Sequence, residues 1–257
     1  MSTATTPVSI RCSGCNVRSQ CLAAGLDGEA LARVDEQLVG ARRKVAVGVR
    51  LFRNGDPFHA LYAVRTGFFK TQVCTPQGRE HVVGFRMAGD LVGLDGIAGG
   101  RHHVDAVALE DSHVCALRFD TLQRLEREVP GLQERMHQLL SGDIVDKKAA
   151  LVQLGSMCST QRLAAFLLDL GERLKARGYS DSTFVLRMRR CELGSYLGLE
   201  LETVCRAVAK LQAAGLMKVT QRVVRILDRE GLARIRDGAA TCEPARRPIA
   251  AAEARCG

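Results

Sequence analysis

The spacing of apolar residues changes character twice along the 257 residues of the chain. Residues 26–44 repeat apolar positions with a helical period and end in the basic run Arg42-Arg43-Lys44. From Val45 to about Phe119, short apolar runs are separated by Gly, Asp and Asn, a pattern typical of many short strands. The helical period returns at about Asp120, a residue suited to cap a helix. The pattern predicts a small β-barrel or jelly roll within residues 26–119 and a long helix over residues 120–155.

The predicted long helix carries a narrow apolar stripe. Its members are spaced 4, 3, 4 and 3 residues apart, namely Leu140, Ile144, Lys147, Leu151 and Leu154. This is the a/d repeat of a coiled coil, which is too narrow for packing on a globular core. We expect a second copy of the chain to cover the stripe and make a homodimer, because a symmetric copy is the simplest partner. The alternative is that the helix lies along its own barrel.

Residues 191–211, which read CELGSYLGLELETVCRAVAKL, have the features of a helix-turn-helix. Gly194 is small enough for two helices to touch there, and Gly198 suits a turn that needs a positive φ. The expected core positions are Leu193, Leu197 and Val204. The expected DNA-facing positions are Glu202, Cys205, Arg206 and Lys210. The apolar runs 216–220 and 223–227 predict a two-stranded wing behind the second helix, so we expect a winged helix-turn-helix domain over residues 156–238.

The distribution of charge along the chain also favours a DNA-binding domain in its C-terminal part. The chain carries a formal net charge of +9, and residues 158–238 hold 15 Lys and Arg against 9 Asp and Glu. Taken alone, a basic surplus fits a polyanionic partner and a basic surface kept for solubility equally well. Together with the helix-turn-helix and the wing, it favours double-stranded DNA. The Pro, Ala and Arg-rich residues 239–257 predict a disordered tail.

The ten cysteines suggest a further site. The N-terminal residues lack an export signal and no stretch is long enough to span a membrane, so we expect a cytoplasmic protein without structural disulfides. Residues 1–25 form a leader with the spacing Cys12-x2-Cys15-x5-Cys21. Three thiolates leave a four-thiolate site incomplete, and Cys115 on an alternating strand is the best fourth ligand. The spacing favours an iron–sulfur cluster over a zinc site or redox-active thiols, although all three stay open.

The remaining cysteines of the folded part are expected to be small hydrophobic residues, namely Cys74, Cys158 and Cys191. An enzyme is not expected, because the sequence has no nucleophile–base arrangement, no phosphate-binding GxxxxGK and no dinucleotide fingerprint.

Over residues 10–238 the chain resembles the FNR-type branch (fumarate and nitrate reductase regulators) of the cyclic-AMP receptor superfamily. The likeness lies in the cysteine pattern, LYAVRTGFFK at 61–70, AGDLVG at 88–93, residues 126–144, RLAAF at 162–166 and the helix-turn-helix with Glu202, Cys205 and Arg206. The resemblance implies an α+β protein with an N-terminal β-jelly-roll sensor domain, a long dimerisation helix and a C-terminal winged helix-turn-helix.

The resemblance also implies a mechanism. An oxygen-labile [4Fe–4S] cluster on Cys12, Cys15, Cys21 and Cys115 would favour dimerisation, and the dimer would bind a TTGAT…ATCAA-type palindrome and contact RNA polymerase. Two positions depart from the family pattern, since Cys205 stands where a serine is usual and Glu200 where a threonine is usual.

The predicted barrel bears on the choice of ligand. Relatives that bind cyclic AMP hold its phosphate with an Arg-Ser pair, whereas Arg101 is followed here by His102 and His103, which we expect to be exposed loop residues. A cyclic nucleotide is therefore not expected. The alternative function is a regulator of the same fold that senses another small ligand, with the cysteines acting as zinc ligands or redox thiols.

Overall fold

The computed structural model of the protein describes residues 11–75 and 78–238. The predicted disorder of the tail, 239–257, lies outside these residues. The described chain divides into two compact units, one containing residues up to Lys148 together with Arg187–Tyr196, and the other containing Ala149–Leu186 and the residues from Leu197 onwards. None of the described helices combines the length and apolar character that a membrane crossing requires.

The first unit contains eight strands, which form two four-stranded antiparallel sheets. The strands are β1 (Val39–Val45), β2 (Arg50–Phe52), β3 (Ala60–Thr66), β4 (Phe68–Cys74), β5 (Glu80–Met87), β6 (Leu91–Val92), β7 (Asp105–Ala108) and β8 (Ser112–Arg118). One sheet has the order β1-β8-β3-β6 and the other β2-β7-β4-β5. A core that includes Val64, Phe69, Ala106 and Val114 joins the two sheets, so the predicted jelly-roll domain is confirmed.

A helical layer covers the outer face of the sheet that contains β8. It comprises α1 (Gly28–Arg33), a π-helical turn (Val34–Leu38), α2 (Phe119–Glu128) and α3 (Pro130–Ser156). Alternation along β8 decides which residues reach this layer. Val114 points into the core between the sheets, whereas Cys115 and Leu117 pack in the helical layer beside Leu22 of the leader.

Two predictions of helix bounds were wrong. The helix predicted over residues 26–44 stops at Leu38, and the basic run Arg42–Lys44 lies in β1, because residues 39–45 pair with β8 along the sheet edge. Such tertiary pairing overrides a local helical pattern. The helix predicted over residues 120–155 is two helices, since Val129 leaves the helical conformation before Pro130, which lacks a backbone donor. Moreover, Arg118 rather than Asp120 is the N-cap of α2.

The second unit contains the wing and most of the C-terminal helices. Its elements are α4 (Ser159–Lys175), β9 (Thr183–Val185), α6 (Leu201–Ala213), β10 (Met217–Thr220), β11 (Val223–Ile226) and α7 (Arg229–Arg236). The predicted wing is confirmed as the β10–β11 hairpin, and β9 adds a third strand that the sequence pattern did not reveal.

The helix α5 (Arg190–Leu197) lies almost entirely in the first unit. A buried ion pair accounts for this, because Nζ of Lys70 in β4 lies 3.0 Å from Oε1 of Glu192 and both side chains are 7% exposed. The backbone N–H of Val82 also donates to Oγ of Ser195, at 2.9 Å.

Candidate metal centre and nucleic-acid interface

Three turns of the leader bring its cysteines together. The N–H of Cys15 donates to the carbonyl of Cys12 at 3.2 Å, and the N–H of Arg18 donates to the carbonyl of Cys15 at 3.1 Å. The N–H of Cys21 then donates to the carbonyl of Arg18, also at 3.1 Å. Because each turn reverses the chain within a few residues, residues 12–21 are compact rather than extended.

The four predicted cysteine ligands line one cavity. Cys12, Cys15 and Cys21 reach it from the leader, and Cys115 reaches it from β8. The other lining residues are Arg18, Leu22, Ala23, Val34, Leu38, Val39, Ala63, Arg65 and Leu117. Apart from the two arginines, the wall beyond the thiols is apolar, which limits solvent access to whatever the thiols bind.

The thiols surround this cavity without meeting at one point. Among residues 11–75 and 78–238, no three His, Cys, Asp or Glu side chains are arranged to hold a single metal ion. A tetrahedral zinc site needs all its sulfur atoms about 2.3 Å from one ion. A polynuclear cluster instead takes one thiolate at each of its irons, so its ligands stand further apart. Four cysteine thiols around one cavity are a donor set that suits an iron–sulfur cluster.

Burial raises the pKa of three of these thiols. The pKa of Cys12 is raised to about 12 by burial and by the neighbouring Asp35 carboxylate, and burial raises that of Cys21 to about 11. The pKa of Cys115 is also raised by burial, against the opposing charges of Arg42 and Arg65. These three thiols are thus protonated near neutral pH in the ligand-free protein, and metal binding has to release their protons.

Polar contacts from two elements hold the leader at the cavity. Asp35 in the π-helical turn accepts a hydrogen bond from the backbone N–H of Cys12 at 3.1 Å. From α3, the guanidinium of Arg135 donates to the carbonyl of Cys21 at 3.2 Å and to that of Gln20 at 3.1 Å. Sequence reasoning missed both residues, because a single Asp or Arg on a helical pattern gives no signal of a partner so far away along the chain.

The helix-turn-helix is confirmed in its local structure. The helices α5 and α6 flank a turn in which Gly198 has a φ of +62°. The three predicted core residues, Leu193, Leu197 and Val204, are all buried. Arg162 of α4 supports the turn, since its Nη1 donates to the carbonyl of Leu197 at 2.9 Å.

The predicted DNA-facing residues lie on the outer side of α6. Glu202, Arg206 and Lys210 are exposed and follow one another at intervals of four residues, which places them in one row. Glu202 and Arg206 form an ion pair at 3.8 Å, and Cys205 is half-buried beside them. The wing adds the exposed basic residues Lys218, Arg222 and Arg225. The row and the wing together present the charge that a phosphate backbone attracts.

The apolar stripe on α3 is only partly exposed. Ile144, Leu151 and Leu154 are 55%, 69% and 39% exposed. In contrast, Leu140 packs against the core of its own helical layer, and Nζ of Lys147 donates to a backbone carbonyl of the barrel. Some stripe residues thus lie against the barrel of their own chain, as in the alternative arrangement. Others face solvent, as residues at a dimer interface would in a single chain.

Three predictions about individual side chains need correction. His102 is not an exposed loop residue, because it is only 3% exposed and its ring stacks on Phe52 with centroids 3.6 Å apart. His103 is exposed as expected. Cys74 and Cys191 are exposed rather than buried as small hydrophobic residues. Cys158 is buried at the start of α4 but is disulfide-bonded, contrary to the expectation of a protein without disulfides.

Two domain families match this chain. Residues 42–128 match the cyclic nucleotide-binding domain, and residues 161–235 match the Crp-like helix-turn-helix domain. Among solved structures, FixK2 from Bradyrhizobium japonicum is similar with a TM-score of 0.71 and 25% identity, covering 77% of this chain and 98% of that protein.

Two curated relatives are similar over most of their length. The transcriptional regulatory protein Btr of Bordetella pertussis is 42% identical over 226 residues, which are 88% of this chain and 93% of the relative. The fumarate and nitrate reduction regulatory protein of Escherichia coli (strain K12) is 36% identical over 226 residues, 88% of this chain and 90% of the relative. Both relatives are regulatory proteins by name.

Proposed function

The chain belongs to the FNR-type branch of the CRP/FNR family of transcription regulators, and we propose that it regulates transcription in response to oxygen. In this proposal a [4Fe–4S] cluster bound to Cys12, Cys15, Cys21 and Cys115 keeps the protein in its DNA-binding form, and oxygen ends that state by degrading the cluster.

One observation carries this proposal, namely the cavity that all four cysteines line. Cys115 is 94 positions beyond Cys21 in the sequence, yet both pack in the helical layer on the same face of the sheet. The name of the Escherichia coli relative, which refers to fumarate and nitrate reduction, supports a role in the use of respiratory acceptors other than oxygen.

The chain's own residues have two tasks at this site. The cysteines tie the leader to the barrel strand β8, so that loss of the cluster removes four bonds that hold the leader in place. The apolar wall restricts solvent access, while Arg18 and Arg65 balance the negative charge that four thiolates bring.

The DNA-binding part of the proposal rests on α6 and α3. A homodimer formed along the exposed residues Ile144, Leu151 and Leu154 would present two copies of α6 to a TTGAT…ATCAA-type palindrome, as expected for two-fold symmetric helix-turn-helix proteins. In each half-site, Glu202, Cys205 and Arg206 would contact bases and Lys210 a phosphate. The bound dimer would contact RNA polymerase in the cytoplasm.

Other uses of the cysteines have less support. Reactive redox thiols depend on a lowered pKa, but the pKa values of Cys12, Cys21 and Cys115 are raised. A structural zinc site usually has paired CxxC motifs, from which the spacing Cys12-x2-Cys15-x5-Cys21 with a distant Cys115 departs. These two observations make zinc or thiol-based sensing of another signal the alternative rather than the proposal.

The test is the absorption and Mössbauer spectrum of protein purified without oxygen, together with its iron and sulfide content. We expect about four irons per chain in the wild type and loss of the signal in air. Cys115→Ser should lose the cluster, whereas Cys74→Ser, at an exposed position on β4, should keep it. A Cys115→Ser protein with full iron content would show that the fourth ligand is another residue, and a wild type without iron would reject the cluster.

A further inference from the structure

Asp35 lies between the leader and the barrel, next to the cavity but not in its wall. Its Oδ1 accepts a hydrogen bond from the backbone N–H of Cys12 at 3.1 Å. The same oxygen lies 3.3 Å from Nη2 of Arg42 in β1. The side chain of Asp35 is only 10% exposed, so its hydrogen bond with Cys12 is partly buried, whereas its contact with the more exposed Arg42 lies at the surface.

Arg42 continues this connection to the other side of the cavity. It is the direct partner of Cys115 in the pairing of β1 with β8. A series of contacts thus runs from the first leader cysteine, Cys12, through Asp35 and Arg42 to the barrel cysteine, Cys115.

We propose that Asp35 is a positioning residue, which with Arg42 holds Cys12 and Cys115 at a fixed separation before the cluster binds. This inference rests on the proposed function. A preformed separation matters because ligands that have to be ordered during binding reduce the affinity, and leader and barrel are otherwise far apart along the chain.

The ion pair explains why a charged residue serves at this position. A lone carboxylate beside Cys12 would oppose the thiolate that binds iron, because like charges repel. Arg42 compensates for this charge while it joins the carboxylate to β1. The pair therefore holds the leader in place without adding net charge to a site that collects four thiolates.

The experiment compares three variants in two measurements. Asp35→Ala removes both contacts, Asp35→Asn keeps an oxygen that can accept from Cys12, and Glu36→Ala alters the exposed neighbouring residue as a matched control. The first measurement is amide hydrogen exchange of residues 12–25 in the cluster-free protein. The second is the iron content after reconstitution without oxygen at limiting iron.

We expect Asp35→Ala to exchange roughly tenfold faster in the leader, since a hydrogen bond to a charged group is lost. It should also load several-fold less iron than the wild type with all four cysteines present. Asp35→Asn should be intermediate in both measurements, and Glu36→Ala should match the wild type. Thermal unfolding of each variant shows whether the rest of the fold is retained.

The outcomes separate this inference from the proposed function. If the wild type binds iron and Asp35→Ala matches it in both leader exchange and iron content, the positioning role is rejected while the cluster stands. If the wild type binds no iron, the proposed function fails, and the role of Asp35 toward a cluster fails with it. Faster leader exchange in Asp35→Ala with wild-type loading would also overturn the inference, because the leader would then not need to be positioned.

Discussion

Nζ of Lys147 lies 2.7 Å from the backbone carbonyl oxygen of Val83, to which it donates a hydrogen bond. One helical turn earlier, Asp143 forms an ion pair with Arg86 of the same strand, β5. This side of α3 is therefore attached to the barrel of its own chain. A symmetric dimer along the whole predicted stripe would instead bring two Lys147 ammonium groups close together, where they would repel. The structure changes that expectation, since the ammonium has a partner within the chain.

In a dimer formed along the exposed face of α3, Lys148 rather than Lys147 would lie at the interface. It is exposed and lies on the face of α3 that also presents Ile144 and Leu151, which are four residues before it and three residues after it. In a symmetric dimer along this face, two Lys148 side chains come close and repel. We expect Lys148→Ala to dimerise more strongly in air than the wild type, as measured by sedimentation.

Lys147→Ala is the matched comparison. It removes the contact with Val83, and we expect it to lower the free energy of unfolding by about 1–2 kcal/mol, as for a partly buried bond from a charged donor. Its dimer fraction in air should equal that of the wild type. A Lys147→Ala protein that dimerises while Lys148→Ala stays monomeric would restore the original assignment of the seam.

A second prediction concerns Arg135, which joins the leader to α3. Its guanidinium donates to two successive carbonyls, those of Gln20 and Cys21, at 3.1 and 3.2 Å. Since α3 also carries the exposed apolar residues, Arg135 provides a direct contact between a proposed cluster ligand and the proposed dimer helix. We expect Arg135→Ala to bind iron but to dimerise several-fold less in response to it.

The measurement is the dimer dissociation constant of cluster-loaded protein by anaerobic sedimentation, with iron content determined on the same sample. Arg127→Ala, at an exposed position on α2, serves as the control and should behave as the wild type. Equal dissociation constants for Arg135→Ala and the wild type at equal iron content would show that the contact does not transmit the state of the leader.

The sequence predicted which cysteines line the cavity, but not which contacts hold the surrounding elements in place. The cysteine spacing and the glycine at 198 are local signals, because a ligand type or a positive φ is a requirement of one position. The contacts of Asp35, Arg135 and Lys147 depend on which elements pack together, and no spacing rule encodes that. The heptad spacing identified an apolar stripe on α3 but not which of its residues the barrel already covers.

The wrong predictions about residues 39–45 and His102 have the same cause, namely contacts that depend on tertiary packing. Residues 39–45 have a helical pattern but lie at a sheet edge, where pairing with β8 satisfies their backbone groups. His102 was expected in solvent because loop histidines usually are, yet Phe52 and Phe58 contact its ring and enclose it. Burial of this kind follows from the closure of the loop over the barrel, which a single sequence does not reveal.

The burial of His102 predicts a pH dependence of stability. Its pKa is lowered by burial, which the nearby Asp95 carboxylate opposes only in part. In the unfolded chain the imidazole takes up a proton near pH 6.5, whereas the folded protein takes it up only at lower pH. The unfolded state thus binds more protons just below pH 6.5, and the free energy of unfolding falls as the pH drops through this range.

His102→Phe keeps an aromatic ring against Phe52 and removes the titrating group. We expect the pH dependence of its unfolding free energy below pH 6.5 to be smaller than that of the wild type by up to about one proton. Denaturant titrations of cluster-free, reduced protein between pH 5 and 8 measure this slope. His81→Gln, at an exposed histidine of β5, is the control. An unchanged slope in His102→Phe would mean that His102 is protonated equally in both states.

The row of residues on α6 predicts which bases the protein reads. Arg206 can donate two hydrogen bonds to a guanine, and Glu202 can accept one from the amino group of the paired cytosine, which fits the G·C pair of TTGAT. Their ion pair of 3.8 Å holds both groups on the same exposed face of the helix. We expect Arg206→Ala to lose about 1–3 kcal/mol of binding free energy at this base pair.

Cys205, half-buried beside this pair, should relax the readout of the neighbouring thymine. A thiol keeps apolar contact with the thymine methyl group but is a far weaker hydrogen-bond partner than the serine usual in the resembling family. We expect Cys205→Ser to discriminate more strongly against substitutions of that thymine, while the G·C requirement stays unchanged. A series of single-base substitutions across the half-site, titrated with both proteins at one salt concentration, measures this difference, since the phosphate contribution is then constant. Identical profiles for the two proteins would show that residue 205 takes no part in base recognition, leaving specificity to Glu202 and Arg206.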